Sequence, residues 1–388
     1  MTSLSIALAS SLLVALQIVW MQALGYAQGH HLAYGVISIA LLGFGAGGSV
    51  LTLWRHRGSH SLESLYAPAL LLCAVATAWL PLLAHPFLTG LEVDLLHADR
   101  GQWLRLAGLG GVIFLPFFFG ATALSVAFAT RTAVIGRLYA ANLFGSALGA
   151  GASLALLRLA LPEQILTWMA FIAWAAALPA RPRLRTLAVA AAATLAGIWL
   201  APELPRSPYK PLSYALQLPE ARRDGPWPHP LGRVDLVTSS AQRYAPDLSL
   251  RYTGAVPAPP HLFVDGEGAG QLLSRTDPAS LILTETPRAL AFAAGTVRRA
   301  LFLSPGGTPY LNLAASRGAS TTVVEPHPRI AALMAPLLDP AHVELRRADP
   351  RLFLEQGGYP PQDLIVFPEH RHPIGFAEAG EKLGWRCI

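Results

Sequence analysis

The sequence predicts an α-helical membrane bundle of about seven spans followed by a soluble α/β domain on a parallel sheet, and three observations lead there. Of 388 residues, 53% are hydrophobic and only 13% charged, too apolar a composition for a purely soluble chain. The apolar excess is confined to the first half: residues 1–202 hold ten Arg, no Lys and five acidic residues, whereas the rest carries charge at an ordinary density. The second half then alternates short apolar runs with helical stretches of about ten residues, the pattern of strands joined by helical crossovers.

A bilayer core needs about 20 apolar residues per helix. Residues 1–202 supply stretches at 4–27, 31–54, 64–84, 104–129, 138–160, 163–180 and 186–202. The first charged residue is Arg55, so the first stretch lacks the positive flank of a cleavable signal and reads as a retained anchor. Connections after the second, fourth and sixth stretches carry Arg55, Arg57, Arg131, Arg137, Arg181, Arg183 and Arg185; the opposite ones carry Arg100, Arg105 and Arg158. This asymmetry predicts a cytoplasmic N-terminus. An odd number of spans then places the C-terminal domain outside the cytoplasm, in the periplasm for a bacterial inner membrane. The expectation is most sensitive to residues 163–202, which are short, Ala-rich and interrupted by ARPRLR.

Within the bundle, GFGAGG at 43–48 and GSALGAG at 145–151 place small residues four apart, as close helix packing requires. Gln17, Gln22 and Asn142 lie at hydrocarbon depth and are expected to hydrogen-bond between helices. No charged residue occupies a clear midplane position, which disfavours a proton- or ion-coupled transporter. His30 and His31 lie at a helix end, and mid-span histidines for a bis-His haem are missing. Cys73 and Cys387 are too few and too distant for a disulfide framework, and Cys73 is expected to serve packing. The net charge of +6 divides into +5 for residues 1–202 and +1 for the remainder, so no basic face suggests nucleic acid.

The soluble half begins with a Pro-rich linker, 203–229, containing APELPRSPYKPL. GRVDLVTSS, LSLRYTG and HLFVDGEG read as strands of a small β-rich subdomain at 230–275. From 276 to 388 the order is helix TPRALAFAAG, strand ALFLS, helix TPYLNLAASRG, strand STTVVE, helix PRIAALMAPLL, strand VELRRAD, helix PRLFLEQGG and strand DLIVF. Ligands of such sheets bind beyond the carboxyl ends of the strands. There, SPGGTP offers Gly306 and Gly307 for close backbone approach, and Glu325 ends the next strand at a spacing suited to ribose hydroxyls. A tight turn without ligand fits the glycine pair equally well. In PEHRHP, Glu369, His370 and His372 diverge after a strand and lack a clustered third ligand, so no metal site is expected.

The runs ALFLSPGG, TTVVEPHPRI and VELRRADPRLFLEQGGYPPQDLIVF resemble the core of the spermidine/spermine synthase family, aminopropyltransferases on a methyltransferase-like Rossmann sheet. HLFVDGEGAGQLL is similar to that family's preceding strand and turn, and IGRLYAANLFGSALGAG resembles a late span of its membrane-fused branch. The resemblance implies that Gly306 and Gly307 stand in the nucleoside loop, that Glu325 grips the ribose diol and that Asp349 contacts adenine. It also implies departures. Where the family's Asp-x-x-Asp follows the fourth strand, accepting a proton from the attacking amine, this chain has Phe367 and His370, with Glu369 reaching inward only if Pro368 displaces it. Ser304 replaces a glycine, Pro309 removes an N–H, and about 20 residues follow the fourth strand, too few to complete the family's sheet.

Three functions are compatible with these residues. The first is a catalytically silent spermidine synthase-like membrane protein, an accessory or structural subunit needing no cofactor, whose partners are the bilayer and other membrane subunits. It would retain a vestigial site for an S-adenosyl or methylthioadenosine-type nucleoside. The second is an active aminopropyl- or S-adenosyl-dependent transferase using Glu369 or His370 as base. The third is a small-molecule transporter. The lost carboxylate pair and the outward placement favour the first.

Overall fold

The computed structural model describes residues 2–56, 62–244, 247–293 and 295–367. The chain divides into two compact units, residues 1–207 with 228–230, and residues 208–227 with 231–388.

The first unit is helical: α1 (Ser3–Ala27), α2 (His30–His56), α3 (Tyr66–Leu88), α4 (Arg100–Thr130), α5 (Ile135–Leu156), α6 (Pro162–Ala177) and α7 (Leu184–Leu200). Each expected span coincides with one of these helices. Four segments, Ser3–Ala27, Leu32–Trp54, Leu62–Leu88 and Arg100–Thr130, are long and apolar enough to cross a membrane. The other three fall short for different reasons. Arg137, Asn142 and repeated glycines dilute the apolar character of α5, while α6 and α7, at 16 and 17 residues, rise only about 24–26 Å.

Hydrogen bonds identify which helix ends meet. At one end the Ser5 hydroxyl lies 2.7 Å from the Tyr66 hydroxyl and donates to Ala176 O, joining the starts of α1 and α3 to the end of α6. At the other, Ser207 N–H donates to Ala27 O at 2.7 Å and Gln28 Nε2 donates to Leu88 O at 3.1 Å. The chain therefore leaves α7 at the end opposite its start.

The small-residue spacing is used as expected. A Cβ on Gly145 would lie 2.1 Å from Ala7 O and one on Gly149 2.2 Å from Ser11 O, so α5 rides directly on the backbone of α1. Gly43 and Gly47 admit α4 in the same way, with Phe117 Cβ and Thr122 N at 2.8 and 3.0 Å from the added carbons. Ser10 Oγ donates to Asn142 Oδ1 at 2.7 Å across the α1–α5 contact, the expected bond between helices, whereas Gln22 Nε2 donates at 2.9 Å to Pro230 O, which lies outside any helix. Cys73 is fully buried, its thiol on Pro116 O at 3.3 Å.

The second unit contains a short helix α8 (Pro211–Ala215) and two sheets. The first sheet is antiparallel in the order β1 (Arg222–Trp227), β2 (Val234–Thr238), β3 (His261–Val264), β4 (Glu267–Gln271). Asp265 and Gly266, both with positive φ, form the tight turn between β3 and β4 that Asp-Gly favours. β1 lies in the stretch read as linker, and LSLRYTG, expected as a strand, forms turns with Leu250 fully exposed.

After α9 (Leu290–Ala293) come β5 (Arg299–Leu303), α10 (Pro309–Ser316), β6 (Ser320–Val324), α11 (Pro328–Met334), β7 (Val343–Arg346), α12 (Pro350–Gln356) and β8 (Leu364–Val366). The four strands are parallel in the order β7-β6-β5-β8, so the direction of winding reverses at β5. Ala300 to Leu303 of β5 are buried on both faces, as a central parallel strand requires.

Candidate functional site

The residues singled out by sequence all follow the carboxyl ends of the parallel strands: Gly306 and Gly307 after β5, Glu325 after β6, Asp349 after β7 and Phe367 after β8. Glu369 and His370, the candidate bases, and His372 lie outside the described residues.

The glycine loop is buried, and the N–H groups of Ser304, Gly306 and Thr308 are engaged within the protein. Ser304, at φ 50° in the left-handed region, donates its N–H to Val324 O at 2.8 Å. Gly306, at φ 61°, directs its N–H to Glu325 Oε2 at 3.4 Å. Thr308 N–H goes to Gln271 O at 2.9 Å. Pro309, the first residue of α10, lacks an N–H where a helix leaves one unsatisfied anyway.

What occupies the space over the loop is the end of β4. A Cβ on Gly307 would stand 2.5 Å from Gln271 O, and one on Gly270 would stand 2.4 Å from Gly306 O, so the two backbones touch through paired glycines. Past this contact, Thr308 Oγ1 accepts from Leu273 N at 2.7 Å and donates to Leu273 O at 2.7 Å, where Asn312 Nδ2 also donates at 3.0 Å. Gly270, Gln271 and Leu273 were not singled out by sequence. The only local signal for them is the Asp-Gly turn that returns β4 along β3.

Glu325 is 3% exposed. Besides Gly306, the N–H of His327 reaches its Oε1 at 3.0 Å. Burial pushes the carboxyl pKa up to about 7, and the two N–H donors only partly offset that. His327 accepts from Arg329 N at Nδ1, 3.2 Å, and its Nε2 meets Gly232 O at 3.1 Å, the pattern of a neutral ring protonated at Nε2. Burial lowers its pKa, in agreement with a neutral ring. Arg329 lays its guanidinium over Trp227 at 3.8 Å from the ring centre.

Asp349 is exposed and caps α12, its Oδ1 accepting from Arg351 N at 2.9 Å and Leu352 N at 3.1 Å. Phe367 is 48% exposed and presents no proton acceptor beyond β8. A cleft of about 640 Å³ lies elsewhere, between Tyr252, Pro257, Leu272, Asp277 and Leu337.

The arrangement can hold one near-neutral carboxyl against two backbone donors. It presents few free donors to a nucleoside, because the loop N–H groups of Ser304, Gly306 and Thr308 are already directed at protein acceptors. No group of three metal-ligating side chains occurs among the described residues. Comparison with protein-family models, with curated proteins and with solved structures finds no match.

Proposed function

We propose that this chain is an integral membrane protein of seven crossings whose C-terminal part is a Rossmann-like, spermidine synthase-type domain that does not transfer aminopropyl groups. It serves as a structural or accessory subunit of a membrane assembly, on the extracytoplasmic side of a bacterial inner membrane. The observation that carries this reading is the closed glycine loop, with Gly306 on Glu325 and Gly307 beneath Gln271. Strand order, glycine loop and acidic strand end support descent from a nucleotide-binding sheet, while the engaged donors and Phe367 oppose turnover. Nucleoside binding at Gly306, Gly307, Glu325 and Asp349 is on this reading vestigial and weak.

The test is aminopropyl transfer from decarboxylated S-adenosylmethionine to putrescine by the detergent-solubilised chain, alongside mass spectrometry of co-purifying proteins. The expected result is no turnover and a stoichiometric membrane partner. Turnover abolished by Glu369→Gln would replace this reading with the active transferase.

A further inference from the structure

An arginine-rich surface outside the candidate site lies at the end of the helical unit where the chain begins. Ser5, Tyr66 and Ala176 meet there, and Arg131 Nε pairs with Glu63 at 3.1 Å, so the α2–α3, α4–α5 and α6–α7 connections share that end. Arg131, Arg137, Arg181, Arg183 and Arg185 are all exposed on it. Glu63 is the sole acidic residue of those connections, and it is matched to Arg131. The other four arginines make no ion pair among the described residues. The opposite connections balance Arg100, Arg105 and Arg158 with Glu92, Asp94, Asp99 and Glu163.

Three of the arginines alternate with Pro182 and Leu184 from the α6–α7 turn into the first residues of α7. Leu184 is 80% exposed beside them, an apolar side chain flanked by cations. That combination matches the boundary between acyl chains and phosphates, where an apolar group enters the hydrocarbon and guanidinium groups fork onto phosphate oxygens. Each basic residue near an anionic membrane surface contributes about 1 kcal/mol of attraction.

We propose that this end of the bundle is a docking surface for anionic phospholipid headgroups, centred on Arg181, Arg183 and Arg185. The proposal rests on the membrane-spanning reading above. It adds a lipid preference that spanning alone does not require.

The experiment is native mass spectrometry of the full chain in detergent, titrated with phosphatidylglycerol or phosphatidylcholine. The expected result is tighter binding of phosphatidylglycerol by roughly a hundredfold, weakened by salt. The Arg181→Gln, Arg183→Gln, Arg185→Gln triple variant should lose roughly fivefold per arginine, and the corresponding triple Lys variant should retain most of the preference. Binding in detergent does not depend on the direction of insertion, so a topology change in the Gln variant does not obscure the result. Arg100→Gln with Arg158→Gln, at the opposite end, should leave the preference unchanged. Equal binding of the two lipids, or a triple Gln variant that keeps the preference, overturns the proposal. Failure to incorporate into phosphatidylcholine vesicles would overturn the spanning reading instead.

Discussion

The amide of Gly306 points at the carboxylate of Glu325, 3.4 Å from Oε2, across the carboxyl ends of two adjacent parallel strands. In a nucleotide-binding sheet both groups would face a ligand. Here they face each other, and the strand end at Gln271 closes the space above them.

The burial of that carboxyl, which the contact only partly offsets, makes stability depend on pH. The Glu325 pKa is about 7 in the folded chain against an ordinary 4.5, so the folded state holds a proton that the unfolded state has released between those values. The stabilising contribution is present below about 4.5 and is lost as the pH rises through about 7, up to about 3 kcal/mol. Thermal melting in detergent should show the natural chain losing stability from pH 5 to pH 8, with a flatter profile for Glu325→Gln. Parallel profiles would mean that Glu325 is not the titrating group.

The contact between β4 and the loop is sensitive to one carbon atom. Gly307→Ala places a Cβ 2.5 Å from Gln271 O, against backbone that cannot swing aside, and should cost about 1–3 kcal/mol. Gly268→Ala, on β4 with nothing within 4 Å of the added carbon, should stay within about 0.5 kcal/mol. Equal melting temperatures for the two variants would rule out the tight contact.

Helix packing in the bundle has a similar internal control. Gly145→Leu should drive α5 off Ala7 and abolish the monodisperse peak in size-exclusion chromatography, because the obstacle is backbone 2.1 Å from the new Cβ. Gly151→Leu, six residues along the same helix with nothing within 4 Å, should give a normal peak. Similar loss in both would place the sensitivity in insertion rather than in packing.

The proposed seven crossings, with the N-terminus in the cytoplasm, would put the domain outside it. C-terminal fusions to alkaline phosphatase and to green fluorescent protein should give phosphatase activity and no fluorescence. The reverse would leave an even number of crossings, with α5, α6 or α7 the helix that fails to span.

Much of the chain was legible because the information is local. The helical stretches follow from apolar runs between arginine-bearing turns, and β5 to β8 follow from apolar runs between helices with clear starts at Pro309, Pro328 and Pro350. The four-residue glycine spacing announced a close helix contact, because only a residue without Cβ lets two backbones approach so closely, while the structure supplied α1 as the partner of α5. β1 was hidden: RRDGPW is polar and contains a proline, and its pairing with β2, including Arg223 on the buried Asp235 at 2.8 Å, comes from a partner 12 residues away. LSLRYTG has strand-like composition but finds no partner, and a strand without a ladder does not form.

By itself, the sequence determined where the chain is apolar enough to leave water, where strands and helices alternate, and which polar residues fall at strand ends. Those properties depend on composition and on periods of a few residues. Only the tertiary structure decided what Gly306, Gly307 and Glu325 face. Whether a backbone N–H meets a ligand or a neighbouring carboxylate depends on how β4 returns from a turn about 40 residues earlier, and on the burial that keeps a carboxyl near neutrality.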